Sequence, residues 1–301
     1  MSRLSIKLFG PLLVATITVI AFGGVLAFAQ VKVKPKPDLG FLDRLEGRLE
    51  RDLDVARADQ ANNKKTLDDA RALLSRAQAS KSPAAVSGAE RAVSLAEQAL
   101  QKNQLREQRV LRAIGWVQKL KESAAAVGPI GAFMPRAEGT VEVEPKGGGP
   151  ARKLAGDVPP IAGPGDTVKT GADGRADLLL PNGSTLNLDA ASAVTLLDDG
   201  LNLLFGQIRA KVQHVMGQRF DVRTPTAICG VRGTDFIVRE KAGKPASLVV
   251  IEGQVAFSDI KGIKTVLVNA GQQSYLLPDG TPAEPTRANI HDMPKWWEEQ
   301  P

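Results

Sequence analysis

The sequence predicts an α+β protein whose helical and β parts form separate domains. A signal or anchor segment comes first, then a long antiparallel helical hairpin. An all-β unit of short strands, solenoid-like or sandwich-like, completes the chain. Three observations predict this. Apolar residues step by three and four within residues 39–127. From 139 to 277 the texture changes to short β-favouring runs divided by Gly, Asp, Asn and Pro. Ahead of both, residues 8–28 form an uncharged apolar run.

The N-terminal run has the marks of export. Arg3 and Lys7 precede it, and Ala27-Phe28-Ala29 matches the small-x-small pattern of signal cleavage, with Gln30 as the mature start. The run is also nearly long enough to span a bilayer, so an uncleaved anchor over residues 1–29 is the alternative. Both readings place the rest of the chain in the periplasm or on the extracytoplasmic side of the inner membrane. Membrane contact is expected only through this segment. Residues 30–38, containing VKVKPKPD, read as an extended basic linker.

The helical region, 39–127, divides at ASKSPAA. There Ser82 suits a cap and Pro83 a first helical position. In the second half, positions 86, 89, 93, 96, 100, 103, 107, 110, 114 and 117 form a heptad seam, interrupted by Asn103 and Glu107. The first half runs through Leu42, Leu45, Leu49, Leu53, Ala56, Leu67, Ala70, Leu74 and Ala77. Two helices on the order of 60 Å folded against each other satisfy this pattern. Such a hairpin buries little surface alone, which points to a partner or to a homo-oligomer through the helices.

Residues 128–138, GPIGAFMPRAE, read as a Gly/Pro hinge. The β unit, 139–277, has explicit turns at GADG, PNGS, DDG, KAGKP and PDG. RADLLLPNGSTLNL is a hairpin with Asn182-Gly183 at its turn. Residues 278–301 are a Pro-rich C-terminal tail, in which Trp296 and Trp297 are expected to dock back onto the protein.

An ordered set of motifs in the β unit resembles the FecR domain. It runs GDTVKTG (165–171), GRADLLL (174–180), NGSTL (182–186), GQI (206–208), TPTAICGVRGTDF (224–236), VVIEGQV (249–255) and AGQ (270–272). The signature positions are Thr224, Pro225, Gly230, Val231, Arg232, Gly233, Thr234, Asp235 and Phe236. The resemblance implies an extracytoplasmic β domain with a coil-like strand arrangement and a role in protein interaction or signalling. Founding FecR proteins are inner-membrane regulators that act on a cytoplasmic sigma factor. Here only residues 1–7 precede the apolar segment, so the anti-sigma region of those regulators is not carried over.

Chemistry is weakly indicated. The only cysteine, Cys229, lies in the apolar run Ala-Ile-Cys-Gly-Val and reads as a buried small hydrophobe. Gly230 and Gly233 bracket Val231-Arg232, which predicts two bends. Arg232 is then expected to pin the chain, against backbone carbonyls or Asp235. Asp198-Asp199 fall in a turn, and Gly147-Gly148-Gly149 lacks the Lys-Ser/Thr of a phosphate loop. His214 and His291 are too few for a His-based metal cluster. The net charge of +6 is modest and the basic residues lack interleaved aromatics, so nucleic acid is not an expected partner. No catalytic residue, metal or cofactor is expected. The expected function is a non-enzymatic exported envelope protein whose β domain binds a protein or cell-wall-associated ligand. The alternative is a membrane-anchored signal-transduction component acting with a separate transmembrane regulator. An envelope hydrolase would need polar residues converging in a pocket of the β domain.

Overall fold

The computed structural model describes residues 39–80, 82–122, 129–155, 158–214, 220–241 and 243–298. The signal or anchor segment and the basic linker lie outside the described residues. No helix among the described residues is long and apolar enough to cross a membrane.

Two helices open the described chain, α1 (Leu39–Ala79) and α2 (Pro83–Glu122). They lie antiparallel. Of the predicted seams, Leu42, Leu45, Leu49, Leu53, Ala56, Leu67 and Ala70 of α1 and Ala96 and Val117 of α2 are buried, and the remaining positions are half-buried; Ala113 and Leu120, outside the predicted seam, are buried as well. The Ala85 N–H donates to the Ser82 hydroxyl at 3.5 Å, the expected cap. Ion pairs clasp the rod along its length: Arg71–Glu97, Arg57–Glu107, Arg106–Asp59, and Lys121 with both Asp43 and Glu46. Most are solvent-exposed, and each contributes at most about 1 kcal/mol. Register, more than stability, is what they supply.

Among the described residues the β unit has seventeen strands. They are β1 (Ala132–Glu138), β2 (Val141–Glu144), β3 (Arg152–Lys153), β4 (Ile161–Ala162), β5 (Thr167–Thr170) and β6 (Arg175–Leu179). Next come β7 (Thr185–Leu188), β8 (Ala193–Leu197), β9 (Gly200–Lys211), β10 (Phe220–Arg223), β11 (Ala227–Val231) and β12 (Asp235–Lys241). The last are β13 (Lys244–Glu252), β14 (Gln254–Asp259), β15 (Thr265–Asn269), β16 (Gln272–Tyr275) and β17 (Thr286–Arg287). The first of these occupies the segment expected as a hinge, and the last lies in the tail.

Pairing sorts the strands into two sheets. One runs β4-β1-β6-β7-β9-β12-β13-β16-β17, all antiparallel. The other runs β3-β2-β5-β8-β9-β10-β11-β14-β15, with β9 and β10 parallel. Beyond each leading edge strand, order in space follows order in sequence, so the chain winds along one axis and crosses between sheets. The inner faces share one core that includes Met134, Leu178, Leu203, Ile208, Phe236 and Phe257. Few aromatics are needed because the gap between sheets is filled mainly by Val, Leu and Ala.

Strand β9 belongs to both sheets. Residues Gly200 to Phe205 pair with β8, and Gly206 to Lys211 pair with β12. The pairing with β8 slips where Ala193 faces Phe205 and Val194 faces Leu203, leaving Leu204 as an extra residue. Gly206 follows with φ +100°, and a Cβ there would lie 2.2 Å from the Ser192 hydroxyl. That hydroxyl accepts from the Gln207 N–H at 3.0 Å and donates to its carbonyl at 3.2 Å, which clamps the bend.

Replacement at this bend is therefore costly. Gly206→Ala should lower the unfolding free energy by about 3 kcal/mol or more, because backbone strain and overlap add. Gly271→Ala, where φ is +78° but nothing lies within 4 Å, should cost only about 1–2 kcal/mol. Urea unfolding of the two variants measures the difference.

Candidate functional site

The signature TPTAICGVRGTDF makes one crossing between the sheets. At its start the Thr224 hydroxyl accepts from the Thr226 N–H at 3.1 Å and the Ala227 N–H at 2.8 Å, tying the Pro225 turn. Strand β11 then lies flat between β10 and β14, with Gly230 in register opposite Asp221 and Ala256. Gly230 does not bend the chain, contrary to expectation; an ordered ladder on both sides holds it straight. The single bend is at Gly233, φ +66°, where a Cβ would lie 2.8 Å from the His214 Cβ. Cys229 is fully buried in the core, and burial, with a smaller contribution from Asp221, pushes its thiol far above the ordinary range. A thiolate nucleophile does not form there.

Asp235 begins β12, buried, and its partner is not Arg232. Arg209 of β9 meets it with both arms of the guanidinium: Nε to Oδ1 at 2.8 Å and Nη2 to Oδ2 at 2.6 Å. Arg232 sits on the corner, exposed, and makes no ion pair with a described residue. The expected pin is thus supplied by an arginine outside the signature. Its other face is covered by the tail: the Arg209 guanidinium lies 4.6 Å from the centre of the Trp297 ring. Trp296 is buried and meets Trp297 edge-on, with ring centres 5.5 Å apart. The tail therefore docks, as the paired tryptophans predict.

Farther along the same outer face, the base of the hairpin sits on the sheet. Phe41, Leu42, Leu45 and Leu49 of α1, with Ala113, Val117 and Leu120 of α2, share a second core with Ile130, Phe133 and Leu179. Each large side chain buried there contributes roughly 2 kcal/mol relative to exposure. Beside this contact a cleft of about 410 Å³ opens between α2, β1 and the residues Leu154, Ala155, Val158 and Pro160. Among the described residues Arg109, Arg112, Arg136 and Glu138 supply its charges and Trp116 its aromatic wall. Glu138 is held between Arg109 Nη2 at 2.6 Å and Arg136 Nη2 at 2.8 Å. Burial pushes its carboxyl up, but the Arg136 hydrogen bond and the nearby guanidinium charges outweigh this and leave it below the ordinary range. Asp177, on the neighbouring strand, is raised by burial, which its hydrogen bond from Asn187 and the charge of Arg136 only partly offset. Among the described residues no three His, Cys, Asp or Glu side chains converge in a way that could hold a metal ion.

Residues 166–256 match the family model described as FecR protein. They form a FecR domain. Among solved structures, two of a candidate anti-sigma factor from Parabacteroides distasonis ATCC 8503 are similar to this chain, each at 17% identity. Their TM-scores are 0.38 and 0.37, and each likeness covers 42% of this chain and 61% of that one. The chain thus spans less than two thirds of that protein, in a likeness too loose to carry an argument. No curated protein matches the chain.

The FecR domain contains the shared strand, the signature crossing and the Arg209–Asp235 pair. The cleft lies outside it, built from residues that precede Asp166. Sequence reasoning found the signature and the docking tryptophans. It missed Arg209, which lies in an ordinary alternating strand, and the cleft, whose walls come from segments read as a coiled coil, a hinge and the start of the β unit. The GDTVKTG motif of the FecR domain is a staple: Asp166 accepts from the Gly163 N–H at 2.8 Å and the Lys146 N–H at 3.0 Å.

The two candidate partners of Asp235 separate cleanly by substitution. Asp235→Asn should destabilise the protein by about 3 kcal/mol, because it leaves Arg209 half-buried without its carboxylate. Arg232→Gln should change stability by less than about 0.5 kcal/mol. Thermal or urea unfolding of both variants reads this out.

Proposed function

We propose that the protein is a non-enzymatic exported envelope protein whose FecR domain binds a protein or envelope ligand, presented by the helical hairpin. The observation that carries this reading is Arg232. It stands exposed at the corner of the family signature, while Arg209 does the structural work first expected of it. An arginine that the fold does not use offers a planar, five-donor fork to a partner carboxylate. The hairpin is bolted to the FecR domain by a shared apolar core, so a partner held by one is fixed relative to the other. Toward its far end, Leu73 and Leu95 remain 53% and 67% exposed, which favours a further copy or partner along the helices.

A second reading, a membrane-anchored signal-transduction component, is favoured by the match to FecR, a regulatory rather than an enzymatic family. The N-terminus of the mature protein separates the two: Gln30 goes with the first, a retained Met1 with the second. Binding itself is tested by recovering partners from envelope extract with the full-length protein and with Arg232→Glu. A stoichiometric partner that Arg232→Glu loses at unchanged stability is the expected result. Equal capture by both proteins, or by neither, contradicts the role given to Arg232.

A further inference from the structure

We propose that the cleft between α2 and β1 binds the free carboxylate of a peptide that ends in an apolar residue. This deepens the reading of the chain as a binding protein and adds a site outside the FecR domain. At about 410 Å³ the cleft has the size of a small-ligand site. Among the described residues three arginines line it against one carboxylate, and Trp116, Leu154, Val158 and Pro160 supply apolar wall. The protein already demonstrates the chemistry there: Glu138 is gripped by Arg109 and Arg136, one guanidinium on each oxygen.

Arg112 lies three residues beyond Arg109, on the same face of α2. It is exposed and makes no hydrogen bond or ion pair with a described residue. A second carboxylate entering beside Glu138 meets Arg112 at the rim, with its apolar end toward Trp116 and Val158. Trp116 is kept in place from outside by Lys119, whose Nζ lies 4.8 Å from the ring centre. A dianionic phosphate would satisfy the charge but leave the apolar wall unused, which is why the geometry points to a carboxylate.

Calorimetric titration of the full-length protein tests the site. The probes are N-acetyl-Leu-Leu and N-acetyl-D-Ala-D-Ala as free acids, the C-terminal amide of each, and inorganic phosphate. At least one acid should bind, and its amide should bind at least about tenfold more weakly. Arg112→Gln should weaken acid binding to the same degree, while Arg91→Gln, on the same helix away from the cleft, should leave it unchanged. A preference between the acids separates a protein C-terminus from a cell-wall peptide as the source. Equal affinity for acid and amide, no binding of either acid, tighter binding of phosphate, or an unaffected Arg112→Gln protein overturns the proposal. Partner capture that depends on Arg232 would persist in any of those cases, so the two readings fail separately.

Discussion

Between Leu203 and Gly206 the inward face of β9 changes from odd-numbered to even-numbered residues. Leu201 and Leu203 fill the core on one side of the bend, Ile208 and Ala210 on the other. A regular strand cannot do this, because its side chains alternate with a period of two. The extra residue at Leu204 and the positive φ of Gly206 supply the change of phase, and the Ser192 hydroxyl holds it. Everything that follows in the chain inherits this geometry. Strand β10 returns parallel to the first half of β9, β12 pairs antiparallel with its second half, and the signature spans the gap between them.

The same bend sets the outer surface. Once Ile208 and Ala210 point inward, Arg209 must point out, directly onto Asp235 of the neighbouring strand. The tail then covers that pair with Trp297, and the hairpin base covers Phe133 and Leu179 at the other end of the sheet. One face of one sheet therefore receives both the segment before the FecR domain and the segment after it. The other sheet keeps its outer face for solvent, with Leu267 55% exposed on its last strand. The hairpin and the β unit, which the sequence presents as separate domains, share a core at their junction.

Periodicity made the large divisions legible. A repeat of three and four over forty residues has few readings other than a helix, and in α1 the seam residues it named are buried from Leu42 to Ala70; in α2 most named positions are half-buried, and Ala113 and Leu120, which it did not name, are buried. Alternation and turn residues likewise marked the strands, and the ordered motifs marked the FecR domain. Two kinds of information were not legible. The segment GPIGAFMPRAE looks like a hinge because Gly and Pro dominate it, yet tertiary pairing with β6 makes most of it a strand. The pairing of Asp235 depends on which strand lies beside β12, a long-range fact that local spacing does not contain. Arg232, only three residues away, was the natural local choice.

The central claim is that one bent strand ties both sheets into a single cooperative unit. Native-state hydrogen exchange tests it most directly. The amides of Leu201 to Leu203 and of Ile208 to Ala210 should exchange with the same free energy, equal to that of global unfolding. A difference between the two halves of more than about 2 kcal/mol, with one sheet opening while the other stays protected, would contradict the account.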